Sequence, residues 1–403
     1  MNRIIRIVGT LAGVFVLVAC SKNEKADADS CLWKSFPAIS AQEGYPSIGV
    51  SAMYAGVNNQ HLFMAGGANF PNTPVADGGK KAYYKQIFTK RINAVDADWT
   101  YVGDLPVTAA YGASVSILSG VVCLGGNNDS GAFNSVLRYQ ISENGLLQKC
   151  DTLPQLPCKM DNFAAANDEN VIYVAGGNMD GSPANRVFCL DLNRQEKGWN
   201  ELNSFPGLPR VQPVLTFQKI GDRRVLVLAG GFCGYSAQNT DPEVAKDIAI
   251  LDIESGVWHV KQGPATPDHK TIALGGACAV AINDSLSLYT GGVNDSIFLS
   301  ALNREKEMKI ARTEENVKVL DSLQHVQRDY LLEPASFYQF NPYSLVYNAA
   351  KNEWSILRKD ISTARAGAMM VAASDSVFLF NGEAKPGIRT GENLMIAISC
   401  IQD

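Results

Sequence analysis

The side chains best suited to chemistry gather in one short stretch near the end of the 403-residue chain, Val377-Phe378-Leu379-Phe380-Asn381-Gly382-Glu383-Ala384-Lys385-Pro386-Gly387-Ile388-Arg389-Thr390. An apolar strand runs there into a turn that carries Glu383, Lys385 and Arg389. A carboxylate can accept and return a proton, and a guanidinium can offer a two-pronged fork to a second carboxylate. The ammonium between them can tune the glutamate or stay solvated. Taken alone, such a turn reads as a solvated surface loop, because loops are mostly polar and exposed. It stands out by contrast with its own repeats.

Apolar runs that end in Gly-Gly occur five more times, at Leu62–Gly67, Val121–Gly126, Ile172–Gly177, Val227–Gly231 and Leu288–Gly292. Only the last copy has Asn381 in place of the first glycine and Glu383 after the second. Successive copies lie roughly 50–60 residues apart, near the kelch-type period of about 50, and the last interval is longer at about 90. A strand of small residues precedes most copies, as in Gly112-Ala113-Ser114-Val115 and Gly367-Ala368-Met369-Met370-Val371. A further strand follows, and Trp99, Trp199, Trp258 and Trp354 then open another. Each unit thus supplies four short strands. One such unit cannot bury both faces alone, whereas radial packing around an axis buries them and crowds the innermost strand. The expected fold is all-β, a six-bladed kelch-type β-propeller. Trp33 and its neighbours complete the last blade with the strand from Asn393 to Ser399, which brings Cys31 and Cys400 together as a possible disulfide. The long interval from about 302 to 332 is rich in Glu, Lys, Arg, Gln and Leu and reads as one or two helices. It leaves the scaffold beside Gly291-Gly292, where it could wall a site at the mouth of the central channel.

The N-terminus reads as a targeting segment. Arg3 and Arg6 precede an apolar run from Val8 to Val18 that ends in Ala19-Cys20. This pattern resembles a lipoprotein signal over residues 1–20 with Cys20 as the lipidated residue, and a plain secretory signal is the alternative. Residues 21–30 form a polar tether, and 31–403 form the propeller. The expected location is the envelope of a Gram-negative bacterium, lipid-anchored and facing the periplasm or in the outer membrane. The net charge of −5 gives no reason to expect a nucleic-acid partner. None of the nine cysteines has metal-ligand spacing, and His61, His259, His269 and His325 are scattered, so neither metal nor cofactor is expected. Oligomeric state is left open.

The stretch from Asn381 to Thr390 resembles the signature of the N-acetylneuraminate epimerases, the bacterial sialic acid mutarotases. Gly291-Gly292-Val293-Asn294 with the helical insertion is similar to that family too, as are Ala65–Phe70, Gly78–Tyr84 and Ala110-Tyr111-Gly112. The resemblance implies a six-bladed kelch propeller that interconverts the anomers of N-acetylneuraminate. It implies Glu383 and Arg389 as catalytic residues, and Asn69, Lys81, Tyr111, Asn294, Arg365 and Lys385 as substrate-binding residues. The segment order differs from the better-known form, so the chain reads as a circular permutant. Ala109 also stands where that form has an arginine, and Arg365 occupies a similar place in another repeat. A sialidase is disfavoured because Asp252–Trp258 lacks the Ser-x-Asp-x-Gly-x-x-Trp box. A non-catalytic glycan-binding or protein-interaction propeller is the alternative, since fold does not fix function.

Overall fold

Each Gly-Gly run ends the second strand of a four-stranded antiparallel sheet. The computed structural model describes residues 32–41, 44–45, 48–236 and 239–402. Among them are six such sheets, five built from strands in chain order. The sixth combines Met369–Ala373, Ser376–Phe380 and Asn393–Ala397 with Lys34–Phe36 from the opposite end of the chain. Lys34 stands opposite Met395 and Phe36 opposite Asn393, so the two ends close one sheet, as the sequence suggests. The signal segment, Cys20, the tether and Cys31 lie outside the described residues. Cys400 is engaged in a disulfide, and Cys123, Cys150, Cys158, Cys189, Cys233 and Cys278 are free thiols.

The innermost strands, such as Ala113–Ile117 and Ala164–Asp168, neighbour one another in a ring that closes with Met369–Ala373 against Tyr54–Asn58. A second ring sits just before them. The N–H of Tyr111 donates to the carbonyl of Ala52, and the same link runs from Asn162 to Tyr111, Gln212 to Asn162 and Gly276 to Gln212. Gly367 then donates to Gly276 and Ala52 to Gly367, closing the circle with bonds of 2.7 to 3.1 Å. All six residues have φ between 52° and 69°. This left-handed conformation is costly for four of them and persists because the closed ring fixes it.

Burial explains why the second strands are continuous apolar runs. Every residue of Ser376–Phe380 is buried, because neighbouring sheets cover both faces. Val377 and Leu379 pack with Leu288 and Cys278 of the fifth sheet. Phe378 and Phe380 point the other way, toward Met53, Leu62 and Met64 of the first. Phe378→Ala should therefore cost about 3–5 kcal/mol of stability. Urea unfolding is the check, and a cost below about 1 kcal/mol would show that the two cores are not coupled through this strand.

The glycine after each second strand is needed for close approach. A Cβ on Gly291, whose φ is 71°, would lie 2.2 Å from the carbonyl oxygen of Arg365. Asn381 fills this position in the sixth sheet at φ 46°. Asparagine tolerates that conformation. Its Oδ1 accepts from the Val50 N–H at 3.1 Å, and its amide donates to Asn393 Oδ1 at 2.8 Å.

The insertion is helical but begins earlier than about 302. Helix α1 spans Asp295–Thr313, α2 Val317–Leu332 and α3 Ala335–Tyr338. Asn294 caps α1 by accepting from the Ile297 N–H at 3.1 Å, a local signal that starts the helix directly after the Gly-Gly turn. Ion pairs tie the insertion down around the mouth: Asp295 to Lys246 at 2.6 Å, Lys306 to Asp241 at 3.0 Å and Arg328 to Asp77 at 2.9 Å.

Candidate active site

One residue per sheet follows the Gly-Gly turn, and each pairs with the residue that precedes a member of the hydrogen-bonded ring. The pairs are Ala68 with Ser51, Asn127 with Ala110, Asn178 with Asp161, Phe232 with Val211, Val293 with Gly275 and Glu383 with Ala366. These positions circle the channel mouth. Only Glu383 and Asp161 are ionisable among them, and they belong to the sixth and third sheets, across the ring from each other.

Glu383 is fastened by its backbone, with its N–H donating to Ala366 O at 2.7 Å and its carbonyl accepting from Ala366 N at 3.0 Å. The carboxylate is asymmetric. Oε1 accepts from Arg389 Nη1 in a short ion pair and from the Gly387 N–H at 2.7 Å. Among the described residues no donor meets Oε2. The Glu383 side chain is 25% exposed and that of Arg389 only 3%. Arg389 is steadied by the Ala68 carbonyl at 3.3 Å and by the Phe70 ring, 5.4 Å from the guanidinium carbon. Its Nη2 meets no acceptor among the described residues. The carboxylate thus keeps one oxygen uncommitted while a buried cation holds the other.

The insertion walls Glu383. Glu383 lines a cavity of about 180 Å³ with Gln212, Asn294, Phe298, Tyr330 and Tyr338. Burial pushes the Tyr330 phenol up to about 12, the neighbouring Tyr338 and Glu383 add to this, and Arg304 opposes it. The Arg304 guanidinium lies over the Tyr330 ring at 4.4 Å and donates to Gln327 at 2.7 Å. Tyr338 donates its hydroxyl to the Tyr330 carbonyl, and burial raises its own phenol as well. Near neutrality both phenols stay protonated; the Tyr338 O–H is committed to that carbonyl, and the Tyr330 O–H can act as a donor.

The structure sorts the residues singled out in the sequence. Glu383 and Asn294 line the cavity together, and Arg389 stands behind Glu383 as its ion-pair partner. Lys385 points away from the carboxylate, and its ammonium donates to the carbonyls of Glu333 at 2.6 Å and Leu331 at 3.1 Å. It latches the end of α2. Lys385→Met should speed amide exchange in residues 317–332 while leaving the global melting temperature within a few degrees, because few buried contacts hold that helix. Unchanged exchange there would rule out the latch. Lys81 sits over Tyr111, 4.5 Å from its ring centroid, on another arc of the mouth. Tyr83 lies beside them: burial raises its phenol, and Lys81, Tyr111, Asp129 and Asp161 all act on it.

Asn69 and Arg365 are held by the scaffold. Asn69 is fully buried, donates to Gly49 O at 2.8 Å and accepts from the Tyr84 hydroxyl at 2.7 Å. Arg365 is 3% exposed and donates to the carbonyls of Ser362, Asn381 and Glu392 and to the Glu392 carboxylate. Arg210 has the same place in the fourth repeat, two residues before a ring member, and donates both ways to Asp247 at 2.8 Å. Sequence reasoning missed Arg210, Gln212, Tyr330 and Tyr338. Their partners are remote in sequence, and only the ring position shared by Gln212 with Tyr111 could have pointed to one of them.

Fold and site together define a kelch-type propeller with a carboxylate–guanidinium pair at the channel mouth under a helical cover. The N-acetylneuraminate epimerase family model matches residues 16–147 and 153–400, and the chain belongs to that family. The N-acetylneuraminate epimerase of Salmonella typhi is 32% identical over 240 residues, which cover 59% of this chain and 56% of that protein. N-acetylneuraminate epimerase 1 of Escherichia coli is 28% identical over the same length, covering 59% and 58%. A solved structure described as that of YjhT superposes with a TM-score of 0.51 at 24% identity, over 62% of this chain and 66% of the other. The chain therefore spans a little over half the length of the curated relatives it matches.

Proposed function

We propose that this chain interconverts the α and β anomers of N-acetylneuraminate by acid/base ring opening. The observation that carries the proposal is the Glu383 carboxylate in a walled cavity, with Oε1 held by Arg389 and Oε2 uncommitted. The anomeric hydroxyl gives its proton to Oε2. The bond from the anomeric carbon to the ring oxygen breaks, a ketone forms, and the ring oxygen takes a proton. The Tyr330 phenol, which lines the same cavity and is protonated near neutrality, supplies it. The ketone then rotates, and reclosure on its other face returns both protons. Arg389 binds the carboxylate next to the reacting carbon and holds it in register.

The test is NMR of freshly released α-N-acetylneuraminate with and without the protein. Faster equilibration supports the proposal. No change with any sialic acid would overturn it in favour of a glycan-binding propeller.

The circular permutation belongs to the same reading. A ring of equivalent sheets can open at any blade, and a co-linear comparison then follows only one arc of it. The partial spans shared with the relatives are what such an order produces. We also propose that Cys20 is lipidated and anchors the protein in the cell envelope, on the strength of the Leu17-Val18-Ala19-Cys20 pattern. Cys20→Ser should move the protein from the membrane fraction to the soluble fraction. Unchanged fractionation would remove the anchor.

A further inference from the structure

We infer that Asp161, though it lies across the mouth from Glu383, orients a chain of amides that presents Gln212 Oε1 to the substrate as a hydrogen-bond acceptor. The inference rests on the mutarotase reading for its substrate and on hydrogen-bond logic for its geometry. Asp161 is 8% exposed and has no cationic partner among the described residues. Its Oδ1 accepts from Asn162 Nδ2 at 2.7 Å and Asn178 Nδ2 at 2.8 Å, and its Oδ2 accepts from Asn127 Nδ2 at 3.1 Å.

An ionised carboxylate only accepts, so each of these amides must turn its NH₂ group toward it. The carbonyl end of Asn162 then faces outward, and Gln212 Nε2 donates to it at 2.9 Å. This commits the Gln212 nitrogen and leaves Oε1 as the free end. Among the described residues no donor meets it, and Gln212 lines the same cavity as Glu383. The neighbouring ring member is glycine, and a Cβ on Gly276 would lie 3.2 Å from Oε1. The backbone ring fixes the positions of Asn162 and Gln212, so the amide chain has one polarity and a fixed end point.

A lone amide could present either its oxygen or its nitrogen to a ligand. The buried carboxylate removes that choice and makes the site selective for a donor. The ligand group is therefore a neutral N–H or O–H of the sugar acid, held while Glu383 and Arg389 address the anomeric end. Asp161 is a positioning residue here and Gln212 a specificity-determining one.

The experiment compares Gln212→Met and Asp161→Asn with wild type in the anomer-exchange assay, alongside their melting temperatures. Q212M keeps the side-chain length without the acceptor. It should raise KM for N-acetylneuraminate about threefold to tenfold, the effect of one neutral hydrogen bond, and leave kcat within about twofold. D161N frees the amides to reverse and should raise KM in the same direction. Its effect should nearly vanish in a Q212M background, because both changes act on the same contact. An analogue without the acetamido group should lose the same factor on wild type and nothing on Q212M if the N–H is the donor. If a hydroxyl is the donor, the corresponding deoxy sugar shows that pattern instead.

An unchanged KM in Q212M, or a fall in kcat at constant KM, would overturn the inference. Additive effects of the two substitutions would do the same. If the wild-type protein fails to exchange the anomers at all, the mutarotase reading is what fails. The same variants are then compared for N-acetylneuraminate binding by saturation-transfer NMR, where weaker binding by Q212M is again expected and equal binding refutes the acceptor role.

Discussion

Glu383→Gln should slow anomer exchange by about 10²–10⁴-fold, the range carried by a positioned general base. Glutamine fills the same space. Its oxygen can still accept from Gly387 and Arg389 where Oε1 now does, so the turn should keep its shape. It cannot take up a proton. The loss should fall on kcat, with KM changed little, because the anomeric proton is transferred only along the reaction path. One cost to stability is expected, since the mutation leaves the buried Arg389 guanidinium without its anion. Assays must therefore be run well below the melting point of the variant. NMR of the α anomer gives the rate directly, and exchange by E383Q at the wild-type rate would falsify Glu383 as the base.

Arg389→Met is the second large effect, and it should appear in both binding and stability. The guanidinium has two tasks. Nη1 holds Glu383 Oε1, and in the proposed mechanism the guanidinium also binds the carboxylate of the sugar acid. Losing a charge-assisted hydrogen bond to that carboxylate should raise KM by about 10- to 100-fold. Glu383 would also lose the cation that fixes Oε1, so Oε2 would no longer be aimed and kcat should fall as well. Removing one member of a mostly buried ion pair costs up to about 3–5 kcal/mol, less here because the Glu383 side chain remains 25% exposed. Arg389→Lys separates charge from geometry. Lysine keeps the positive charge but cannot bond Glu383 and the substrate in one plane. It should recover most of the stability and little of the KM. Full recovery of KM by lysine would mean that the substrate carboxylate feels only charge at this position.

The insertion matters to both results. It lines the Glu383 cavity with Tyr330 and Tyr338, packed on Val293 and Ala366, and is tied at its outer surface by ion pairs to Asp241 and Asp77. Exposed ion pairs of this kind weaken with salt.

The four-strand units, the glycine turns, the Trp-bearing outer strands and the closure by Lys34–Phe36 could be read from the sequence because they are periodic and local. A Gly-Gly pair at the end of an apolar strand signals positive φ, and an unbroken apolar run signals a strand covered on both faces. Glu383 and Arg389 were visible for a related reason: they break a pattern that five other copies keep. Asn69 and Arg365 are of suitable residue type but sit in no such break, and they are held by partners that spacing does not reveal. Asn69 meets Gly49 and Tyr84, and Arg365 meets Glu392, in the interior of the first and sixth repeats. Lys385 lies two residues from Glu383 yet reaches carbonyls more than fifty positions away.

By itself, then, the sequence determined the repeat, the strand content and the one turn where the repeat changes character. It did so because backbone conformation and burial period are short-range properties of the chain. Only the tertiary structure decided which polar groups share the mouth. Closing the ring sets Asp161 of the third sheet across from Glu383 of the sixth. It makes Gln212 a neighbour of Asn162 and puts Tyr330 in the same cavity as the carboxylate. Hydrogen bonding and desolvation act over a few ångströms of space, and in a closed ring those ångströms join residues hundreds of positions apart.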